Sequence, residues 1–174
     1  METEPLFINR YTVTKDVLRE FQWNAGKFKL ALILVSVALG LVAAAALPGI
    51  IEGTGGTQLI LLIIAAVCEA LYVVAFFATV NRVWKQVCEQ ANGKPVEAVI
   101  SFFEENTVNE TIGWNGRVVL EYSSIKKVIV TKNLIILLTR AKIGHILRRD
   151  SFVKGAEEEF LKFINTKVAL NKLK

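Results

Sequence analysis

LALILVSVALGLVAAAALPGII (30–51), EGTGGTQ (52–58) and LILLIIAAVCEALYVVAFFATV (59–80) run consecutively, and their reading decides the broad class of this protein. Each apolar run has 22 residues. As an α-helix rising about 1.5 Å per residue, such a run covers about 33 Å, enough for a hydrocarbon core of about 30 Å. The first run carries no charge, and the second carries one, Glu69. Backbone amides in lipid must be satisfied within their own segment, so both runs are expected to be helices of a membrane hairpin.

The flanks set the expected orientation. The connecting loop has no Lys or Arg, whereas Arg10, Lys15, Arg19, Lys27 and Lys29 precede the first run and Arg82 and Lys85 follow the second. Basic residues resist translocation, so both termini are expected in the cytoplasm and the short loop outside. Trp23 and Trp84 sit just beyond the two cytoplasmic helix ends, as interface anchors whose rings are buried while the indole N–H stays wet. Ala43 to Ala46 could pass for a cleavage site. The long apolar run and the acidic residues Glu2, Glu4, Asp16 and Glu20 before it argue for an uncleaved anchor. The net charge of +5 has the same origin, since all 21 basic residues fall outside the helices and loop. Cys68 and Cys88 are too far apart on one continuous helix to pair with each other, and no Cys/His cluster suggests a metal.

Folding the hairpin about its loop places Glu69 level with Gly40 and Leu41. Gly40, Ala43 and Ala44 then face Ala66 and Ala70, a small-residue face on which helix backbones can pack closely. An acid at that depth costs roughly 2.5–3.5 kcal/mol, which about ten apolar neighbours offset. The plainer reading is a protonated Glu69 hydrogen-bonded within the hairpin, to Ser36 or a backbone carbonyl. The sharper reading is a partner helix, or a proton or cation path.

On either side the pattern changes. Residues 5–13 alternate as an extended segment, with Phe7, Tyr11 and Val13 on one side. Thr14 is placed to cap a helix that leads toward Phe28. Beyond Trp84 the second helix should stop at Asn92-Gly93, with Pro95 as a further breaker. Period-two strands are expected at Val96–Phe103, Val108–Trp114, Arg117–Tyr122, Ile125–Thr131, Leu134–Thr139 and Ile143–Arg148. Asn115-Gly116 is read as a two-residue hairpin turn and Glu104-Glu105 as part of a solvent-exposed one. Asp150 or Ser151 should cap a final helix running to about Asn171, whose Phe160, Leu161, Ile164 and Val168 cover the sheet. The expected organisation is an N-terminal strand and juxtamembrane helix (1–29), the hairpin (30–81), a helix extension and linker (82–95), and an α+β domain (96–174). That domain is a small curved sheet or barrel capped by its C-terminal helix.

With these parts in order, the chain resembles the YcxB-like family of bacterial membrane proteins. The residues that carry the resemblance are FINRYTVTKD at the start of the chain, the hairpin, then LEYSSIKKVIVTKNLIILL, GHILRRDSF and EEEFLKFI. It extends over nearly the whole chain. Tyr122 stands where the family's Trp is expected, and Arg148 where Pro often occurs. The resemblance implies a pleckstrin-homology-like (PH-like) domain on the cytoplasmic side of a bacterial inner membrane. It implies no catalytic residue, cofactor or substrate.

Between Tyr122 and Arg149 there is no acid, yet Lys126, Lys127, Lys132, Arg140, Lys142, Arg148 and Arg149 are present. Such a stretch can lie against anionic headgroups at about 1 kcal/mol per basic residue; it can equally be a solvated sheet edge whose lysines block edge pairing. Nothing resembles a stacking platform or recognition helix, so nucleic acid is not an expected partner. His145 near Asp150 and Ser151 does not make a triad, and no nucleotide, hydrolase or metalloprotease motif occurs. The expectation is therefore a non-enzymatic, membrane-anchored interaction module without cofactor, binding a protein partner, itself, or the anionic membrane surface. The alternatives are a small oligomeric conduit or transporter subunit built around Glu69, and an immunity or envelope-stress protein.

Overall fold

The computed structural model describes residues 4–25, 28–53, 56–112, 116–141 and 143–172. Its elements are β1 (Phe7–Thr12), α1 (Lys15–Ala25), α2 (Phe28–Ile51), α3 (Gly56–Gln90), β2 (Glu97–Phe102), β3 (Asn106–Ile112), β4 (Gly116–Glu121), a 3₁₀ turn (Tyr122–Ser124), β5 (Ile125–Val130), β6 (Leu134–Thr139), β7 (Gly144–Arg148), β8 (Phe152–Lys154) and α4 (Glu157–Lys172). Two compact units result: one from residues 1–25 and 83–174, the other from 26–82.

The first unit is built on two antiparallel sheets, ordered β4-β3-β2-β1-β8 and β5-β6-β7. The N-terminal strand belongs to this domain. β1 pairs with β2, placing Phe7 opposite Phe102 and Tyr11 opposite Ala98, and with β8 on its other side. Phe7, Asn9 and Tyr11 alternate inward as the period of a strand requires. Thr14 caps α1 by accepting from the Val17 amide at 3.4 Å. Leu134 to Leu137 in β6 are all fully buried, as are Phe102, Leu147, Phe160 and Ile164. β6 is the middle strand of its sheet, so its four apolar residues read as one continuous buried run. The Phe102 and Phe160 rings meet edge-on at 4.6 Å, which ties α4 to β2.

Two local expectations are corrected. The final helix does not start at Asp150 or Ser151. Ser151 accepts from the Arg10 amide, Phe152–Lys154 joins the sheet as β8, and Gly155 takes a φ of +80° that ends the strand. A Cβ at Gly155 would stand 2.3 Å from the Phe7 ring, so only glycine leaves room. Ala156, whose carbonyl accepts from the Phe160 amide, opens α4 instead. Gly116 is not a turn-centre residue: it already pairs with Thr111 in the β3–β4 ladder, and Asn115 lies outside the described residues. Glu104 is exposed as expected yet takes the Lys167 ammonium at 2.6 Å.

In the second unit, α2 and α3 are the two helices long and apolar enough to cross a membrane. Their exposure is that of side chains without a protein partner: Leu41 is 68% exposed and Leu71 62%. α3 continues to Gln90 and closes with Asn92 and Gly93 at positive φ, the Gly93 amide reaching back to the Cys88 carbonyl at 2.9 Å. That is the Schellman stop which an Asn-Gly pair favours.

Candidate functional site

Glu69 is half-buried, and Ser36 Oγ donates to its Oε1. Ser36 rather than Gly40 or Leu41 therefore lies across from the acid, one helical turn nearer the start of α2. The proposed small-residue face is not the seam of this hairpin. Gly40, Ala44, Ala66 and Ala70 are exposed, Ala43 is half-buried, and a Cβ at Gly40 would meet nothing within 4 Å. The seam on α3 runs instead through Leu62, Ala65, Glu69, Tyr72 and Phe76, at alternating steps of three and four. Phe28 packs on Tyr72 and Phe76 at 5.5 and 5.2 Å. Among the described residues the seam is marked by these aromatic contacts and the Ser36 hydrogen bond to the acid, not by small-residue packing.

The basic stretch is divided by the fold. Arg148 turns to Asp150 at 2.6 Å, and Arg149 to Glu157 at 2.5 Å, with further bonds to the Thr131 and Lys132 carbonyls. Both are structural ties. Lys126 and Lys127 are exposed at the start of β5, where the ladder bulges between Ile125 and Lys127. Arg140 follows the other end of the same hairpin pair, its amide bonded to the Ser124 carbonyl at 3.0 Å. Lys132 sits in the β5–β6 turn, at the far end of the strands. Lys142 lies outside the described residues. So Lys126, Lys127 and Arg140 share one end of the small sheet, and the six that are described do not form one patch. Trp23 lies on α1 and Trp84 on α3, both half-buried.

His145, on β7, is buried against Asn109 of β3, with Nδ1 3.4 Å from the amide nitrogen. Burial holds its pKa below the ordinary histidine value. Asp150 is engaged elsewhere: it accepts from Ser151 and from Arg148, and the Ser151 bond, opposed by slight burial and aided by the guanidinium, lowers its pKa.

Two polar residues that the pattern did not single out hold the domain together. Asn9 is fully buried; its amide donates to the Arg148 carbonyl at 2.7 Å and its oxygen accepts from the Arg148 amide at 3.2 Å. It thus links β1 of one sheet to β7 of the other. Its place two residues from both Phe7 and Tyr11 was the available signal. Glu20, on α1, grips the β5–β6 turn through Thr131, the Asn133 amide and the Asn133 side chain at 2.6 to 3.0 Å. Partial burial pushes its pKa up, but those bonds and nearby Lys132 outweigh it, and the net shift is downward. No sequence signal marks a contact between residues so far apart in the chain.

Fold and contacts define a two-sheet α+β domain that carries a long apolar helical hairpin between its first helix and its second strand. Residues 103–164, from the β2–β3 turn into α4, match the family model described as YcxB-like protein, so that segment is similar to the YcxB-like family. No curated protein and no solved structure matches it. Tyr122, within the matched segment, is buried and donates to the Phe103 carbonyl at 2.6 Å while its ring meets Phe163 of α4.

Proposed function

We infer that this protein is a membrane-anchored, non-enzymatic interaction module of the bacterial inner membrane, with a PH-like domain on the cytoplasmic side that binds a protein partner. One observation carries the topology: β1, before the hairpin, pairs with β2 and β8, after it. Flanks that fold into one domain must lie on one side of a bilayer, which requires an even number of crossings. Two apolar helices with exposed leucines meet that requirement. The basic flanks and a connecting loop without Lys or Arg support the cytoplasm as that side. The order of two antiparallel sheets followed by a covering helix supports the PH-like reading.

A second target, the anionic membrane surface, is favoured by the gathering of Lys126, Lys127 and Arg140 at one end of the small sheet; at about 1 kcal/mol each they would supplement an anchor. The conduit alternative loses ground, because the acid it needs accepts a hydrogen bond from Ser36 within its own hairpin.

Topology is tested with a membrane-impermeant maleimide on whole cells, in a background where Cys68 and Cys88 are serine. Gly53→Cys should label in intact cells, and cysteines appended at either terminus only after lysis. The protein should also stay with membranes through alkaline carbonate. A soluble protein, or a terminus labelled from outside, rejects the reading.

A further inference from the structure

The sheets offer several outer edges, and the sequence treats them differently. β5 is guarded: Lys126 and Lys127 are exposed on it and a bulge interrupts its ladder. β8 is three residues long. β7 is tied to β1 through Asn9. β4 has no bulge, is not short, and carries its exposed charges, Arg117 and Glu121, toward its two ends. It is six residues long, pairs with β3 in unbroken register, and is the last strand of its sheet. Its exposed centre is apolar, with Val118 51% and Val119 57% exposed. An edge strand leaves alternate N–H and C=O groups open, and an unguarded apolar one is a template for another strand.

The sequence of β4 says which strand. It reads Gly-Arg-Val-Val-Leu-Glu, basic near one end and acidic at the other. Two antiparallel copies related by a two-fold axis perpendicular to the sheet keep like faces together, so residues opposite each other must have the same parity. Of the registers centred on residues 118, 119 and 120, only the one centred on Val119 sets Arg117 of each copy opposite Glu121 of the other. The same register sets Val118 opposite Leu120. Opposite charges directly across a strand pair stabilise it, and like charges oppose it. A groove of about 660 Å³ opens along this edge, lined by Val118, Leu120, Thr139, Ile143 and His145 among others. Ile143 there is 61% exposed, so an added strand finds apolar side chains waiting.

We propose that the protein forms a symmetric dimer in which β4 of one copy pairs antiparallel with β4 of a second, centred on Val119, joining two five-stranded sheets into one. This rests on reading the domain as an interaction module and names its partner as a second copy of the chain. The interface is isologous and therefore closes at two.

The test uses the full-length chain in mild detergent, with Cys68 and Cys88 changed to serine. Val119→Cys should cross-link to a covalent dimer under mild oxidation, whereas Val153→Cys, 68% exposed on β8, should not. Arg117→Glu should weaken dimerisation about tenfold, since it places two like-charge pairs across the axis. It also sets a like charge opposite Glu110, which Arg117 meets at 3.5 Å within its own sheet, so Arg117→Gln is the companion variant and should weaken the dimer less. Glu121→Arg should do the same, and the double variant should recover most of the lost affinity, short of wild type because its residue 117 still opposes Glu110 in the same copy. A chain that stays monomeric at micromolar concentration overturns the proposal. So does a dimer indifferent to Arg117→Glu, or a Val119→Cys adduct with a protein of different mass. Carbonate extraction of the same variant separates the two readings: a soluble protein still cross-linked at 119 removes the anchor and keeps the dimer, and an anchored monomer does the reverse.

Discussion

β6 and the start of α3 are both unbroken apolar runs, yet they meet opposite surroundings. Leu134, Ile135, Ile136 and Leu137 are wholly enclosed by protein, while Leu59, Ile60, Leu61, Ile63 and Ile64 are each at least half exposed. In the domain, apolar residues of every strand but β3 share one core with α4. In the hairpin, a single seam is covered and the remaining faces are as apolar as the seam. A run of four to eight such residues is satisfied by neighbouring strands, whereas runs of twenty with two helices to share them leave most of their area uncovered. That uncovered area is what supports the proposal of a membrane hairpin, since apolar side chains facing lipid cost nothing.

Substitutions can break this contrast. Phe102→Ala removes a fully buried ring that packs on Phe160, and should destabilise the domain by about 3–5 kcal/mol. Thermal unfolding of the full chain in detergent, followed by near-ultraviolet circular dichroism, checks it. Asn9→Ala leaves two backbone groups of Arg148 without their partner and should cost about 1–3 kcal/mol by the same measurement. If it were neutral, the two sheets would not be held by that link.

Acid sharpens the contrast from another side. The folded-state pKa of His145 lies below its ordinary 6.5, so unfolded chains take up the proton first and stability declines as pH falls below that value. Glu20 acts lower: its contribution is present above its ordinary 4.5 and is lost as pH falls through its depressed folded value. His145→Gln should flatten the first limb and Glu20→Gln the second, read as unfolding midpoint against pH.

Within the hairpin the effects are expected to be smaller. Ser36→Ala removes the bond to Glu69 and should cost about 0.6 kcal/mol, the scale of such bonds between membrane helices. Steric-trap unfolding in bicelles measures it. Leu71→Ala, on the exposed face, should stay within about 0.5 kcal/mol. A large loss there would mean that protein, rather than lipid, covers that face.

Much of this architecture was legible in advance where a period repeats. The two helices, the strands from Glu97 to Arg148 and the Thr14 cap follow from spacing alone. Less was legible in the candidate site. Lys126 and Arg149 look alike in a basic run, but one is exposed on an edge strand while the other is spent on Glu157 and the carbonyls of 131 and 132. Likewise, the sequence offers Ser36 as a hydrogen-bond partner for Glu69, yet counting residues about the loop sets Gly40 opposite it, and only the packing decides for Ser36.

By itself, then, the sequence determined that two long helices and a meander of short strands exist, because hydrophobic period is a local property read over a few residues. Only the tertiary structure decided that β1 reaches across the hairpin to complete the sheet, that Asn9 and Glu20 tie distant segments, and that β4 is left as an open edge. Those outcomes depend on which backbone donors and acceptors remain unpaired once the chain has closed, and that is a property of the whole assembly of elements.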